Sequence, residues 1–185
     1  MKLLLHTCCA PCSIKCVEAL STEGMLPVLF WYNPNIHPYT EYRSRRDSLY
    51  DFAKGKALEL ILEDEYGLRS FINSVERQMP LNTFRCGFCY KLRMEKAARY
   101  ARENGFDAFS TTLLISSYQD HELIKKTGED LARDIGIEFL YRDFRPLFRE
   151  GRNEAKAAGY YMQKYCGCIY SEEERYLGNG SGSRT

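Results

Sequence analysis

The sequence contains no glycine-rich phosphate loop of either common kind, G-x-G-x-x-G or G-x-x-x-x-G-K followed by Ser or Thr, which argues against a bound nucleotide cofactor. No apolar run approaches the roughly 20 residues that cross a bilayer. The first residues lack the basic stretch and long apolar segment of a secretory signal. A protein of the cytoplasm, with no membrane partner, is expected. Charge of one sign is lacking too: 26 Lys and Arg face 25 Asp and Glu, a net charge of +1. Such a balance neither demands nor excludes nucleic acid, because a basic face can sit inside a neutral total. No internal repeat is visible. At 185 residues, 44% of them hydrophobic, the chain can bury one substantial core, so residues 1–177 are expected to form a single domain with a Gly/Ser-rich tail over 178–185.

What the chain does have is cysteine: Cys8, Cys9, Cys12, Cys16, Cys86, Cys89, Cys166 and Cys168. They fall in three tight clusters far apart in sequence. Secreted disulfide scaffolds are small and loop-rich, whereas this chain has long apolar elements, so clustered thiols read as metal ligands or a redox pair in a reducing compartment. Cys16 fits the plainer description of a small buried hydrophobe.

The stretch from Leu3 to Ser13 organises the rest. Leu3–Leu5 is too short for a helix and reads as a buried first strand. Pro11 disfavours helical geometry at Ala10, and Ser13 is placed to cap a helix through Ile14, Val17, Ala19 and Leu20. The thiols then sit where a strand hands over to a helix, whose N–H groups and dipole favour the metal-binding thiolate. Further strands are expected at Val28–Tyr32, Leu58–Leu62, Phe106–Ile115 and Ile137–Tyr141. Helices are expected between them: one through Tyr42, Leu49, Phe52, Ala53 and Ala57, one over Ser70–Gln78 before Pro80, one opening at Arg85, one through Ile124, Leu131 and Ile135, and one over Arg152–Ala158. Five strands alternating with helices imply an α/β fold with a five-stranded, mostly parallel, doubly wound sheet and a helical C-terminal segment. Ligands bind such sheets beyond the carboxyl ends of the strands. Cys8, Asn33, Ser116 and Asp143, each following a strand, should therefore line one rim.

Four thiolates can hold a tetrahedral zinc or an iron–sulfur cluster, and one C-x-x-C does not separate the two. Adjacent cysteines fit one zinc awkwardly but can reach different irons of a cluster, which favours Cys8, Cys9, Cys86 and Cys89 as cluster ligands. A structural zinc is the alternative. Cys166 and Cys168, with Cys12, are left for a second metal, a reversible disulfide or simple packing. His6, on a buried strand, reads as a hydrogen-bonded core group. His37, between turn-forming stretches, is a candidate for substrate contact or proton transfer. Asp107, Asp120 and Asp143 are candidate acids or metal ligands, with helix capping the duller role for Asp120.

Five ordered motifs carry a resemblance: His6-Thr7-Cys8-Cys9-Ala10-Pro11-Cys12, Tyr32-Asn33-Pro34-Asn35-Ile36-His37-Pro38, Cys86-Gly87-Phe88-Cys89, Ser110-Thr111-Thr112-Leu113-Leu114 and Gln163-Lys164-Tyr165-Cys166-Gly167-Cys168. Together they resemble the cobalamin-independent epoxyqueuosine reductases, the QueH family. The resemblance implies a HUP-type, PP-loop-like fold without nucleotide chemistry and a 4Fe-4S cluster on Cys8, Cys9, Cys86 and Cys89 with a second iron nearby. It also implies two-electron deoxygenation of epoxyqueuosine to queuosine at the tRNA wobble position, the last step of queuosine synthesis, driven by an external electron donor. The resemblance matches Cys166 and Cys168 to the family's C-terminal pair. Cys12, that pair and an Asp are the candidate ligands of the second metal. A nucleoside in an anticodon loop is splayed out, stacked on aromatics and held by phosphate contacts. Candidate stacking groups are Tyr32, Tyr39 and Tyr118; candidate phosphate contacts are Arg43, Arg45, Arg46, Arg145, Arg149 and Arg152. Competing functions are a zinc-stabilised nucleic-acid-binding module and a thiol–disulfide oxidoreductase using Cys166 and Cys168.

Overall fold

The computed structural model describes residues 1–78 and 85–178. Strands β1 (Leu3–His6), β2 (Val28–Trp31), β3 (Leu60–Leu62), β4 (Ala108–Thr111) and β5 (Glu138–Phe139) form one sheet in the order β3-β2-β1-β4-β5. Every pairing is parallel. This is the five-stranded α/β sheet expected. The helices are α1 (Ala10–Thr22), α2 (Tyr39–Gly55), α3 (Leu68–Gln78), α4 (Arg85–Glu103), α5 (His121–Ile135), α6 (Phe148–Ala157) and α7 (Ile169–Tyr176). The proposed tail falls almost wholly outside the described residues, as does Pro80.

β1 is central and wholly buried, Leu3, Leu4 and Leu5 being inaccessible to solvent, as a continuous apolar run in a parallel sheet demands. Three expectations are corrected in detail. Helix α1 starts at Ala10, with Cys9 in extended geometry as its cap. The missing N–H of Pro11 falls among first-turn donors that have no helical partner, so the proline costs the helix nothing there. Ser13 therefore does not cap; its hydroxyl donates to the Cys9 carbonyl at 2.8 Å. Strand β4 is shorter than expected because the Thr111 hydroxyl accepts from Leu113 N at 3.2 Å and starts a 3-10 turn over Thr112–Ile115. Helix α2 stops at Gly55, and Ala57, expected within it, has a left-handed φ of 52°.

Two close approaches fix helices around the sheet. Gly151 sits where α6 crosses α1, and a β-carbon there would press on Lys15 Cγ at 3.2 Å. Lys15 clamps the same crossing through Glu18, Glu150 and Glu154 at 2.7, 2.8 and 3.1 Å. On α5, a β-carbon on Gly128 would lie 2.3 Å from the Phe139 ring. Helix propensity alone makes Gly128→Ala stabilising by about 1 kcal/mol. Overpacking costs about 1–3 kcal/mol, so the expected outcome is a net loss of stability in denaturant melts. A gain would mean that Phe139 swings aside freely.

Candidate functional site

The carboxyl edge of the sheet gathers thiols from three segments. The loop after β1 carries Cys8 and Cys9, and the first turn of α1 adds Cys12. Their Sγ atoms all lie within 4.8 Å of one another, with Cys8 and Cys9 3.7 Å apart. Thiolates around one tetrahedral metal at about 2.3 Å stand about 3.8 Å apart, so the trio has the spacing of a metal-holding set. Thr112 donates to Cys8 Sγ at 3.6 Å and Gln163 to Cys12 Sγ at 3.5 Å. Hydrogen bonds from Cys12 and Cys9 hold the Cys8 thiol well below its ordinary range, with Thr112 and the Arg93 charge adding to the effect. Cys9 is pushed up by burial, and Cys12 chiefly by its hydrogen bond with Cys8. Metal binding to the trio must expel the protons that its thiols carry.

A second group faces it. Cys86 and Cys89 on the first turn of α4, and Cys166 and Cys168 in the turn before α7, line one small cavity of about 20 Å³, together with Asn35, Arg93 and Gln119. Cys86 and Cys166 are exposed at its mouth, while Cys89 and Cys168 are buried behind them. Cys89 and Cys168 pack in a small apolar cluster with Phe71 and Val75, which joins α3 to this wall. The Cys166 and Cys168 sulfurs are 4.0 Å apart. Cys166 is held down to about 5, first by its hydrogen bond with Cys168 and also by Ser171, whose Oγ is 2.9 Å away. Burial pushes the Cys89 thiol up to about 11.

Two buried arginines stand between the groups. The Arg93 Nε donates to the Cys89 carbonyl at 3.1 Å, and its charge acts on Cys89, Cys8 and Cys166. Arg45 donates to the carbonyls of Tyr165 and Cys166 at 2.9 and 3.0 Å and pairs with Glu41 at 2.6 Å. The 166–168 turn is close-fitted against it. Gly167 has φ 131°, and a β-carbon there would meet Arg45 Nη1 at 3.1 Å. Sequence reasoning took Arg45 for an exposed phosphate contact and gave Arg93 no role. A buried guanidinium beside thiols leaves no periodic signal.

The other sequence candidates divide plainly. Cys16 is fully buried in the main core. His6 is buried between Thr111 Oγ1 and the Tyr32 carbonyl, at 2.9 and 3.2 Å, and burial lowers it to about 4. His37 is corrected: it has no solvent exposure. Its Nε2 lies 3.0 Å from the Pro34 carbonyl and its Nδ1 accepts from Ile169 N at 3.3 Å. Burial lowers it to about 4, so it braces the cysteine turn as a neutral ring. Asp107 is corrected too. It accepts from Lys2 N at 2.6 Å, before β1 and β4, at the sheet edge opposite the thiols. Asp120 caps α5, accepting from Leu123 N at 3.0 Å. Asp143 pairs with Arg145 at 2.7 Å. Arg46 is held by Asp64 at 2.6 Å and by Asp47, and Arg43 lies 3.8 Å from Asp47. Tyr32 is buried, whereas Tyr118 is 71% exposed and meets Phe148 edge-on at 5.7 Å between ring centres.

A parallel sheet whose carboxyl edge collects seven cysteines, three of them spaced so that they could hold one metal, defines an α/β protein with a thiol-lined site. The family model described as Epoxyqueuosine reductase QueH matches residues 3–174. The protein of that name from Dehalococcoides mccartyi is 36% identical over 175 residues, covering 95% of this chain and 94% of that one. Its namesake from Thermotoga maritima is 32% identical over 180 residues, covering 94% and 91%. The chain belongs to the QueH family of epoxyqueuosine reductases.

Proposed function

We propose that this chain reduces epoxyqueuosine to queuosine at the wobble position of tRNA, removing the epoxide oxygen with two electrons from an external donor. The observation that carries the reading is the meeting of thiols from three distant segments at the ligand-binding edge of the sheet. In this reading Cys8, Cys9, Cys86 and Cys89 would hold a 4Fe-4S cluster, and Cys12, which lies beside Cys8 and Cys9, would join the Cys166 and Cys168 pair as the candidate ligands of a second iron placed against that cluster. The donor set suits iron: two adjacent cysteines can reach different corners of a cluster several ångströms across, and opposed thiol groups flank the buried Arg93. A cluster supplies electrons one at a time, and iron is a Lewis acid for the departing oxygen. No helix among the described residues is long and apolar enough to cross a membrane, which agrees with an enzyme working on tRNA in the cytoplasm.

The chain's own residues bind and orient. Cys86 and Cys166 mark the open side of the cavity, so the splayed nucleoside enters there. Tyr118, exposed next to Gln119 of the cavity wall, is placed to stack a neighbouring base. Incubating the anaerobically prepared protein with epoxyqueuosine tRNA and a low-potential reductant should yield nucleoside lighter by one oxygen. Recovery of unchanged epoxide from iron-loaded protein would refute the activity.

Phosphate contacts can be ranked by what already neutralises each arginine. Arg149 is exposed and makes no ion pair among the described residues, whereas Arg46 is engaged by two carboxylates. Arg149→Ala should reduce the slope of log binding constant against log salt by about 1, and Arg46→Ala should leave it nearly unchanged. The reverse order, measured by tRNA binding at several salt concentrations, would move the contact surface to α2.

A further inference from the structure

The loop after β2 is held on both sides by groups other than Asn35. The Asn33 Nδ2 donates to the Thr7 carbonyl at 2.9 Å, next to the first thiols. The backbone N–H of His37 donates to the Gly167 carbonyl at 2.7 Å, inside the cysteine turn. Between these anchors Asn35 is only 1% exposed, lines the thiol cavity, and has an Oδ1 with no hydrogen-bond partner among the described residues. Buried polar atoms are almost always satisfied, so an orphan at a cavity wall calls for a partner that arrives with the ligand. Its chemistry narrows that partner. The orphan is an acceptor and needs an O–H or N–H donor. Thiolates and sulfides accept hydrogen bonds, so a metal centre held by these cysteines leaves it unsatisfied.

We propose that Asn35 is a substrate-binding residue whose Oδ1 accepts a hydrogen bond from a donor flanking the epoxide, a ring hydroxyl or the amine N–H, and so turns the epoxide toward the thiol wall. This rests on the reading of the cavity as the place where the epoxide is reduced. Among the described residues the amide makes no hydrogen bond that holds the fold, so truncating it should remove substrate contact without unfolding the chain.

The test compares Asn35→Ala and Asn35→Asp with the wild type, all loaded with iron. Iron content, sulfide content and melting temperature should match the wild type in both. Asn35→Ala should weaken binding of epoxyqueuosine tRNA, measured without reductant, by about five- to tenfold. Asn35→Asp, which keeps an acceptor oxygen, should recover most of it. The same tRNA carrying only the aminomethyl base, without the five-membered ring, separates the two donors. A loss of affinity in Asn35→Ala for that tRNA assigns the bond to the amine, and indifference assigns it to a ring hydroxyl. Unchanged affinity of Asn35→Ala for the epoxide tRNA would overturn the inference, and loss of iron would make Asn35 part of the metal site instead. If the wild type binds iron but leaves the epoxide intact, the proposed activity fails; if it reduces the epoxide and Asn35→Ala does so with unaltered affinity, only this inference fails.

Discussion

Cys86→Ala is expected to give a folded chain with less than about a tenth of the wild-type sulfide and of the iron that accompanies it, and no measurable epoxide reduction. Cys86 sits on the first turn of α4 and is exposed at the cavity mouth, so its sulfur contributes little packing and its loss should be read at the metal alone. Losing one of four ligand thiolates weakens the cluster's hold on the site, because binding and site formation are coupled, hence a large effect on iron and sulfide. Melting of the metal-free variant should coincide with that of metal-free wild type. Cys16→Ala is the control, because Cys16 is fully enclosed by the core: it should lower stability and keep iron. Iron and sulfide both retained in Cys86→Ala would remove Cys86 from the ligand set.

Arg45→Met should destabilise the protein by about 3–5 kcal/mol, the usual consequence of leaving one partner of a buried ion pair behind. For a chain of this size that corresponds to a fall in Tm of roughly 6–20 °C. The guanidinium is 2% exposed and spends its donors on the Glu41 carboxylate and on the carbonyls of Tyr165 and Cys166. Removing it strands Glu41, which also accepts from the Tyr161 hydroxyl, and frees the turn that carries Cys166 and Cys168. Removing both charges, in the pair Arg45→Met and Glu41→Gln, should cost less than Arg45→Met alone, and the difference measures their coupling. A loss below about 1 kcal/mol would show that solvent reaches the pair and that another contact holds the turn. Iron content separates the two roles: the variant should fold less stably yet still load a cluster through Cys8, Cys9, Cys86 and Cys89.

The sheet was readable because its elements declare themselves locally. Leu3–Leu5 and Val28–Trp31 are apolar runs closed by turn residues, and the rule that ligands lie beyond the carboxyl ends of parallel strands then placed Cys8 and Asn33 on the correct edge. Element ends were less legible. Nothing in Thr111-Thr112 distinguishes a strand from a hydroxyl-capped 3-10 turn, and Pro11 permits a helix start before it as readily as after. At the site, sequence spacing counted the thiols but not their grouping. Cys12 lies one helical turn from Cys9, which brings it onto Cys8 and Cys9. Cys86 and Cys89 face Cys166 and Cys168 because Phe71 and Val75 of α3 pack against both Cys89 and Cys168. His37 and Asp107 misled for a shared reason. A titratable side chain in a loop reads as available until its partners are known, and here those partners are backbone groups. Arg93 and the orphaned Asn35 oxygen are properties of packing, invisible to composition or period.

Metal and acid-labile sulfide analysis of the protein purified without oxygen tests the central claim most directly. If the three cysteine segments meet to hold an iron–sulfur centre, the wild type will be brown, with about four irons and four sulfides per chain and any additional iron bound without sulfide. A colourless protein carrying one zinc and no sulfide would contradict it.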